Sequence, residues 1–283
     1  MKIIGLLLVF GCMFGGFIFA GGNIKTLWQP AEIAMIIGGA FGAFLIANPM
    51  TVVKDTARHL SYLTKGSDFN PTYFEELILL LNTLFEVARK KGGKKILEGH
   101  IEDPESSDIF PRFPRILRTP HVYKFIIENL RLSLVESMAA NEFSKIVEEE
   151  VACQEDEMRR PSVALYTIAD ALPGFGIAVA VLGIVITMGA ISGPEEELGM
   201  YIAAALLGTF LGVFLAYGFV APFAAAIGHS INNELQSFEC IRVSLVNYKA
   251  GHPPIIAVDA GRKVLYAEYR PSYVKMEQII ENS

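Results

Sequence analysis

The sequence is short of the residues that usually announce chemistry. Its 283 residues include three cysteines, Cys12, Cys153 and Cys240, far apart and without a CxxC pair. That spacing excludes a disulfide framework and a local thiolate metal site. The five histidines, His59, His100, His121, His229 and His252, are dispersed. No phosphate loop, GxSxG elbow or HExxH helix occurs, so no enzyme class has supporting residues. Asn70-Pro71-Thr72 is not a glycosylation acceptor, because proline takes its middle position. A net charge of −6 argues against nucleic acid as a partner, since that needs a clustered basic surface.

Charge is also missing from the long apolar runs. The chain is 52% hydrophobic, with a mean hydropathy of +0.40, yet 19% of it is charged. That combination implies membrane spans plus a soluble part. Met200 to Ile227 carries no formal charge. As a helix it would be about 42 Å long, and a bilayer's hydrocarbon core is about 30 Å thick. It contains the pair Gly208 and Gly212, with Thr209 between them, and Pro222 near its end. Three other runs join it. Ile3–Ala20 has the look of a signal peptide, but Ile18 stands where cleavage wants a small residue. Its Gly11 and Gly15 repeat the GxxxG spacing of a packed span, so it reads as span one. A polar turn with Lys25 and the only tryptophan, Trp28, leads to span two, Ala31–Val53. That span carries Gly38, Gly39 and Gly42 and ends around Asn48-Pro49. Span three, Ile168–Ile191, begins with Asp170 and Pro173 and carries Gly174, Gly176, Gly183 and Gly189. An acidic turn, Ser192–Gly199, precedes the last span. Nothing stops that last helix before Gly251 and Pro253-Pro254, so it is predicted to run past His229 towards Tyr248.

Between spans two and three the composition changes. Phe74, Leu77, Leu81, Leu84 and Val87-Ala88 make one apolar helical stripe. Val122, Phe125, Ile126, Leu130, Leu134 and Met138 make another, followed by Phe143, Ile146 and Val147. Pro111, Pro114 and Pro120 interrupt them. The charge clusters Arg89-Lys90-Lys91, Lys94-Lys95, Glu148-Glu149-Glu150 and Glu155-Asp156-Glu157 read first as solvated helix faces. In the tail, Ile255–Leu265 suits either a short helix or an edge strand. The expected fold is therefore all-α, a polytopic membrane protein with four transmembrane helices. Its parts are residues 1–53 (spans one and two), 54–165 (a cytoplasmic helical domain), 166–228 (spans three and four) and 229–283 (a helix extension and tail). Lys54, Arg58, Lys65, Arg159, Arg160, Arg242 and Lys249 flank the domain and tail, whereas the two turns offer Lys25 against Glu32, Glu195, Glu196 and Glu197. Cations mark the cytoplasmic side, which puts the domain and both termini there.

Ion-moving proteins normally keep a carboxylate inside the membrane. Here only Asp170 and Glu32 come close, both at span edges. The spans instead supply hydroxyls (Thr187, Thr209, Tyr217) and two prolines, Pro173 and Pro222, which free a carbonyl and allow bending. Any one of these suits ordinary helix packing. As a set they describe a flexible wall around a carboxylate held by another chain.

Several stretches carry a resemblance. They are Ala205-Leu206-Leu207-Gly208-Thr209 with Gly212 and Pro222, Asp170-Ala171-Leu172-Pro173-Gly174, and Ile101-Glu102-Asp103-Pro104. Pro114-Arg115-Ile116-Leu117 and Gly261-Arg262-Lys263-Val264-Leu265-Tyr266 belong to the same set. Across the whole chain, in order, the sequence resembles the MotA flagellar stators of the MotA/TolQ/ExbB ion-channel superfamily. The resemblance implies an inner-membrane ring of five copies around a dimer of a MotB-like chain, which supplies the ion-binding aspartate and grips peptidoglycan. It implies that Pro173 and Pro222 pass movement to the cytoplasmic domain, and that charges at Lys90 and Glu98 push the rotor protein FliG. Relatives carry arginine where Lys90 stands, with Arg89 beside it here; lysine keeps the charge without the planar fork. Sodium-driven relatives carry threonine where Ala180 stands, opposite the counterpart of Thr209. One fewer hydroxyl favours protons, which need only the carboxylate and a water path. No cofactor is implied beyond the proton gradient. Two alternative readings are an ExbB- or TolQ-type energiser of outer-membrane processes and a non-transporting membrane scaffold.

Overall fold

The computed structural model describes residues 2–62, 69–103, 106–189, 191–192 and 194–282. Lys65, Pro104 and Ser283 lie outside them, as do the side chains of Glu195, Glu196 and Glu197. All regular structure among the described residues is helical. The chain opens with α1 (Lys2–Phe10), a π turn (Gly11–Gly15) and α2 (Gly16–Phe19), then α3 (Pro30–Ala47) and α4 (Met50–Tyr62). Next come α5 (Pro71–Arg89), α6 (Gly93–Glu102), α7 (Pro114–Leu117) and α8 (Pro120–Ser133). Two long pieces follow, α9 (Ala140–Gly189) and α10 (Glu195–Leu215), the latter leading through a π turn (Ala216–Val220) into α11 (Ala221–Lys249). The tail forms α12 (Pro254–Val264) and α13 (Tyr273–Glu281).

The boundaries follow from local chemistry, and several differ from the periodicity. The second span ends at Ala47 rather than Val53. Pro49 forces Asn48 into extended geometry (φ −124, ψ 139), so Met50 starts a separate helix. Expected span three is the end of a 50-residue helix that tolerates Pro161 and Pro173 internally. Pro222 cannot donate an amide bond. Just before it the helix widens into a π turn, where the Ala221 amide reaches back to the Ala216 carbonyl. Helix α11 runs to Lys249 as expected. It ends where Gly251 turns left-handed (φ 94), with Gly251 N–H on Tyr248 O and His252 N–H on Asn247 O. The ambiguous tail segment is a helix, α12. Among the described residues, three helical stretches, within Ile24–Ala47, Ala140–Gly189 and Leu198–Lys249, are long and apolar enough to cross a bilayer. Ile3–Phe19 is a shorter apolar helix, about 26 Å long at helical rise.

The chain divides into two compact units. Unit one, Met1–Lys65 with Arg159–Gly228, centres on Ile36, Ala40, Leu172, Val179, Leu207, Leu211 and Ala216. Where α9 meets α10, the packing is backbone against backbone. A methyl group on Gly176 would lie 2.7 Å from the Gly208 carbonyl oxygen and 3.0 Å from Gly212 Cα. One on Gly212 would lie 2.6 Å from the Leu172 carbonyl oxygen, and one on Gly183 would lie 2.8 Å from Ala205 Cβ. Phe175 fills the space that a side chain at Gly39 would need. Gly174, Gly38, Gly42, Gly11 and Gly15, by contrast, meet nothing within 4 Å. The first helix is therefore held by its phenylalanines rather than its GxxxG pair. Phe10 lies 4.9 Å from Phe219, and Phe14 sits edge-on to Phe214 at 5.3 Å. Ser162 ties α9 to α11 by donating to the Ala224 carbonyl at 2.9 Å.

Unit two, Gly66–Met158 with His229–Ser283, is built on α5. Tyr73, Phe74, Leu77, Leu81, Leu84 and Phe85 are all fully buried there. Phe85 stacks on Tyr248 at 4.3 Å, and Phe125 meets Phe238 edge-on at 4.9 Å. A methyl group on Gly261 would lie 2.0 Å from Ser244 Oγ and 2.5 Å from the Cys240 carbonyl oxygen, so α12 lies close against α11. Arg262 is buried, pairing with Asp259 at 2.6 Å and donating to the Pro271 carbonyl. Burial pushes the Asp259 carboxyl up, but Lys263 and Arg262 together hold it below its usual range. Glu234 on α11 is different: burial alone pushes its carboxyl from 4.5 up to about 7.

Two outcomes are expected. Gly212→Ala should lower thermal stability in detergent by about 1–3 kcal/mol, because the methyl group overlaps backbone. Gly174→Ala, placed in open space, should not. For Glu234, the folded state favours the protonated form. Its contribution is fully present below 4.5 and is lost as pH rises through about 7. Unfolding stability should therefore fall by on the order of 2 kcal/mol from this group between pH 5 and about 7 and level off above it, and Glu234→Gln should flatten the decline.

Candidate functional site

The first cluster lies on unit one. Along α10, burial divides the helix into two faces. Ala205, Gly208 and Gly212 face α9, where Gly208 sits against the Ala180 amide nitrogen; a methyl group there would lie 3.3 Å away. Leu207, Leu211 and Phe214 extend the buried side. Leu206, Thr209, Val213 and Tyr217 fall on the remaining, exposed stripe. Thr209, Val213 and Tyr217 are spaced by four, so they stack on successive turns. The backbone opposite Ala180 is thus that of Gly208, and Thr209 lies one residue further round. Ala180 and Pro173 are half-buried, whereas Asp170 and Pro222 are exposed.

The helix-to-helix approach explains this arrangement. Glycines must face α9 for the backbones to come so close, and a helix advances about 100° per residue. The residue after Gly208 is then carried off the contact. Asp170 lies on a matching exposed stripe of α9, with Gly174, Ile177 and Val181. The Thr187 hydroxyl is spent within its own helix, donating to the Gly183 carbonyl at 2.8 Å. Glu32, in the first turn of α3, has a buried carboxylate oxygen, Oε2, without a hydrogen-bond partner. The exposed stripe of α10 carries two hydroxyls and no carboxylate. It can line a polar path but cannot itself hold a proton on an acid.

The second cluster lies on unit two, at the turn between α5 and α6. Arg89 ends α5 and Lys90 follows in extended geometry (φ −65, ψ 157). Gly92 is left-handed (φ 74), and a methyl group on Gly93 would lie 1.9 Å from the Val87 carbonyl oxygen. Two glycines are what this turn requires. The result exposes Arg89, Lys90, Lys91, Lys94 and Lys95 together, with Glu98 exposed in the second turn of α6. Lys94 pairs with Glu136 at 2.7 Å; that hydrogen bond raises the lysine's pKa and lowers the glutamate's. Glu98 lies within electrostatic reach of Lys94. Sequence reasoning missed Glu136, and it read Lys249 only as a flanking cation. Lys249 Nζ donates to the carbonyls of Ser133 (2.7 Å) and Val135 (2.5 Å) at the end of α8. A lysine in the last turn of a long helix is a usable signal for carbonyl capping, though not for which helix it caps. Among the described residues, no three His, Cys, Asp or Glu side chains converge to hold a metal.

Comparison with known proteins matches most of the chain. Residues 3–92 fit the family model for the motility protein A N-terminal region, and residues 120–240 fit that of the MotA/TolQ/ExbB proton channel family. The chain is 40% identical over 277 residues to the chemotaxis protein LafT of Vibrio parahaemolyticus, covering 98% of this chain and 97% of that one. It is 37% identical over 276 residues to motility protein A of Escherichia coli, covering 98% and 93%. The solved flagellar MotAB stator complex from Bacillus subtilis matches with a TM-score of 0.71 at 25% identity, covering 98% of each chain. The matched family is one of proton channels and motor stators, not of enzymes. The chain belongs to the MotA/TolQ/ExbB proton channel family, as a motility protein A stator subunit of the flagellar motor.

Proposed function

We propose that this stator subunit works with a MotB-like single-span partner that supplies the ion-binding aspartate and anchors to peptidoglycan. The observation that supports it most is the acid-free stripe of Leu206, Thr209, Val213 and Tyr217. It is a polar face waiting for a carboxylate from elsewhere. In this reading five copies form a ring around a partner dimer in the bacterial inner membrane. Four helices cross the bilayer, the first of them the short Ile3–Phe19 segment. Residues 1–53 and 166–228 form the membrane part; residues 54–165 and 229–283 lie in the cytoplasm with both termini.

Ion passage loads and unloads the partner's aspartate beside Thr209, Ala180 and Tyr217, with Asp170 at the edge of the path. Pro173 and Pro222 are the joints through which that change leaves the membrane. Neither helix has a complete amide ladder at its proline, so bending there costs less than elsewhere. The movement reaches Lys90, Glu98 and Arg89, which push on charged groups of the rotor protein FliG. Long-range charge steering does not need arginine's fork, so Lys90 retains it. No cofactor enters; the transmembrane proton gradient drives the cycle. Protons are favoured over sodium because Ala180 adds no oxygen ligand, and sodium must replace several waters.

The test is genetic. Cells deleted for this chain should build flagella that do not turn. Wild-type protein should restore swimming, and the double charge reversal Lys90→Glu, Glu98→Lys should not. A failure to assemble flagella would sink the motor role. Coupling is read separately, from swimming speed. It should collapse with a protonophore and persist when sodium is removed at constant pH; the opposite pattern makes sodium the driving ion.

A further inference from the structure

Beside the α5–α6 turn, unit two holds a cavity of about 490 Å³. Torque transfer by surface charges gives it no role. Its walls carry Arg89, Lys94, Lys249 and His252, with Glu136 the one acidic residue among those lining it. Two of the cations are held in place. Lys249 spends two of its three protons on the Ser133 and Val135 carbonyls, and the third remains available. Lys94 is fixed by Glu136. Tyr248 adds a rigid wall, stacked on Phe85 at 4.3 Å. The volume lies within the range of small-molecule sites.

The electrostatics are unbalanced. In the walls, Arg89, Lys94 and Lys249 are three cations against the one carboxylate of Glu136, with Glu98 acting on Lys94 and Glu86 on Tyr248 from outside them. Burial, then repulsion from Lys94, lowers the Lys249 pKa, so the two ammonium groups feel each other. Helix ends absorb little of this excess. The α8 carbonyls are already taken by Lys249, and α11 closes its own through Gly251 and His252. A carboxylate would answer one cation. A phosphate group, with its greater charge and three acceptor oxygens, answers an arginine fork and two ammonium groups at once.

We propose that this cavity binds a compact phosphate-bearing small molecule, held by Arg89, Lys94 and Lys249. If the rotor contact is as proposed above, an occupant neutralises cations on the turn that carries Lys90 and so weakens that contact.

The experiment is calorimetric titration of inorganic pyrophosphate into the detergent-solubilised full chain, copurified with its partner, at fixed ionic strength. Saturable binding is expected, with citrate binding more weakly. Lys249→Gln should weaken it by about tenfold or more, as should Arg89→Gln with Lys94→Gln. Because Lys249 also caps α8, the exposed Arg89 and Lys94 pair keeps the test valid if Lys249→Gln misfolds. Lys95→Gln, outside the cavity, should change nothing. The proposal is overturned by no saturation below about 10 mM, by equal binding of citrate, or by an equal loss in Lys95→Gln. The readout is binding, so it succeeds or fails independently of motility.

Discussion

Everything in unit one depends on how closely two backbones approach where Gly176 of α9 meets Gly208 and Gly212 of α10. In lipid no hydrophobic force separates one apolar helix face from another, so close packing of small residues chooses the contact. At this crossing even one methyl group would overlap a carbonyl oxygen or an α-carbon. With the glycine face committed to α9, the rest of α10 has no freedom. Leu207 and Leu211 turn inward, while Thr209 and Tyr217 are carried to the exposed side.

That constraint also defines what the chain cannot do alone. The exposed stripe has hydroxyls but no acid, and the one carboxylate on the α9 stripe, Asp170, sits at the start of the apolar stretch. A wall of this kind agrees with the proposal that the titrating group is supplied by a different chain. Near Pro222 the α10–α11 ladder is already loosened into a π turn.

Unit two follows a different logic, built around an aromatic and aliphatic core. Its charged turn is shaped by Gly92 and Gly93, and its neighbouring helix ends are closed by Lys249 and Gly251. The cations gathered there come from segments as far apart in sequence as Arg89 and Lys249. Glu234 shows the same effect on α11. Nothing local marks it, and only the elements folded around it remove its water.

Much was legible from residues alone, because it depends on near neighbours in sequence. Pro49 ends a span, Gly251 stops a helix, and apolar runs without charge mark the membrane. The MotA-like stretches brought the family with them. Other features were not legible. Span three was expected to begin near Pro173, yet Pro173 and Pro161 both lie inside one 50-residue helix. Gly11 and Gly15 looked like a packing motif yet meet nothing in the chain, whereas Gly176 and Gly212 meet backbone. A GxxxG spacing says that a close approach is allowed, not that a partner is there. The sequence by itself thus determined the helices, the apolar segments and the family. Only the tertiary structure decided which face of each helix is spent on contact, because that depends on atoms brought together from distant parts of the chain.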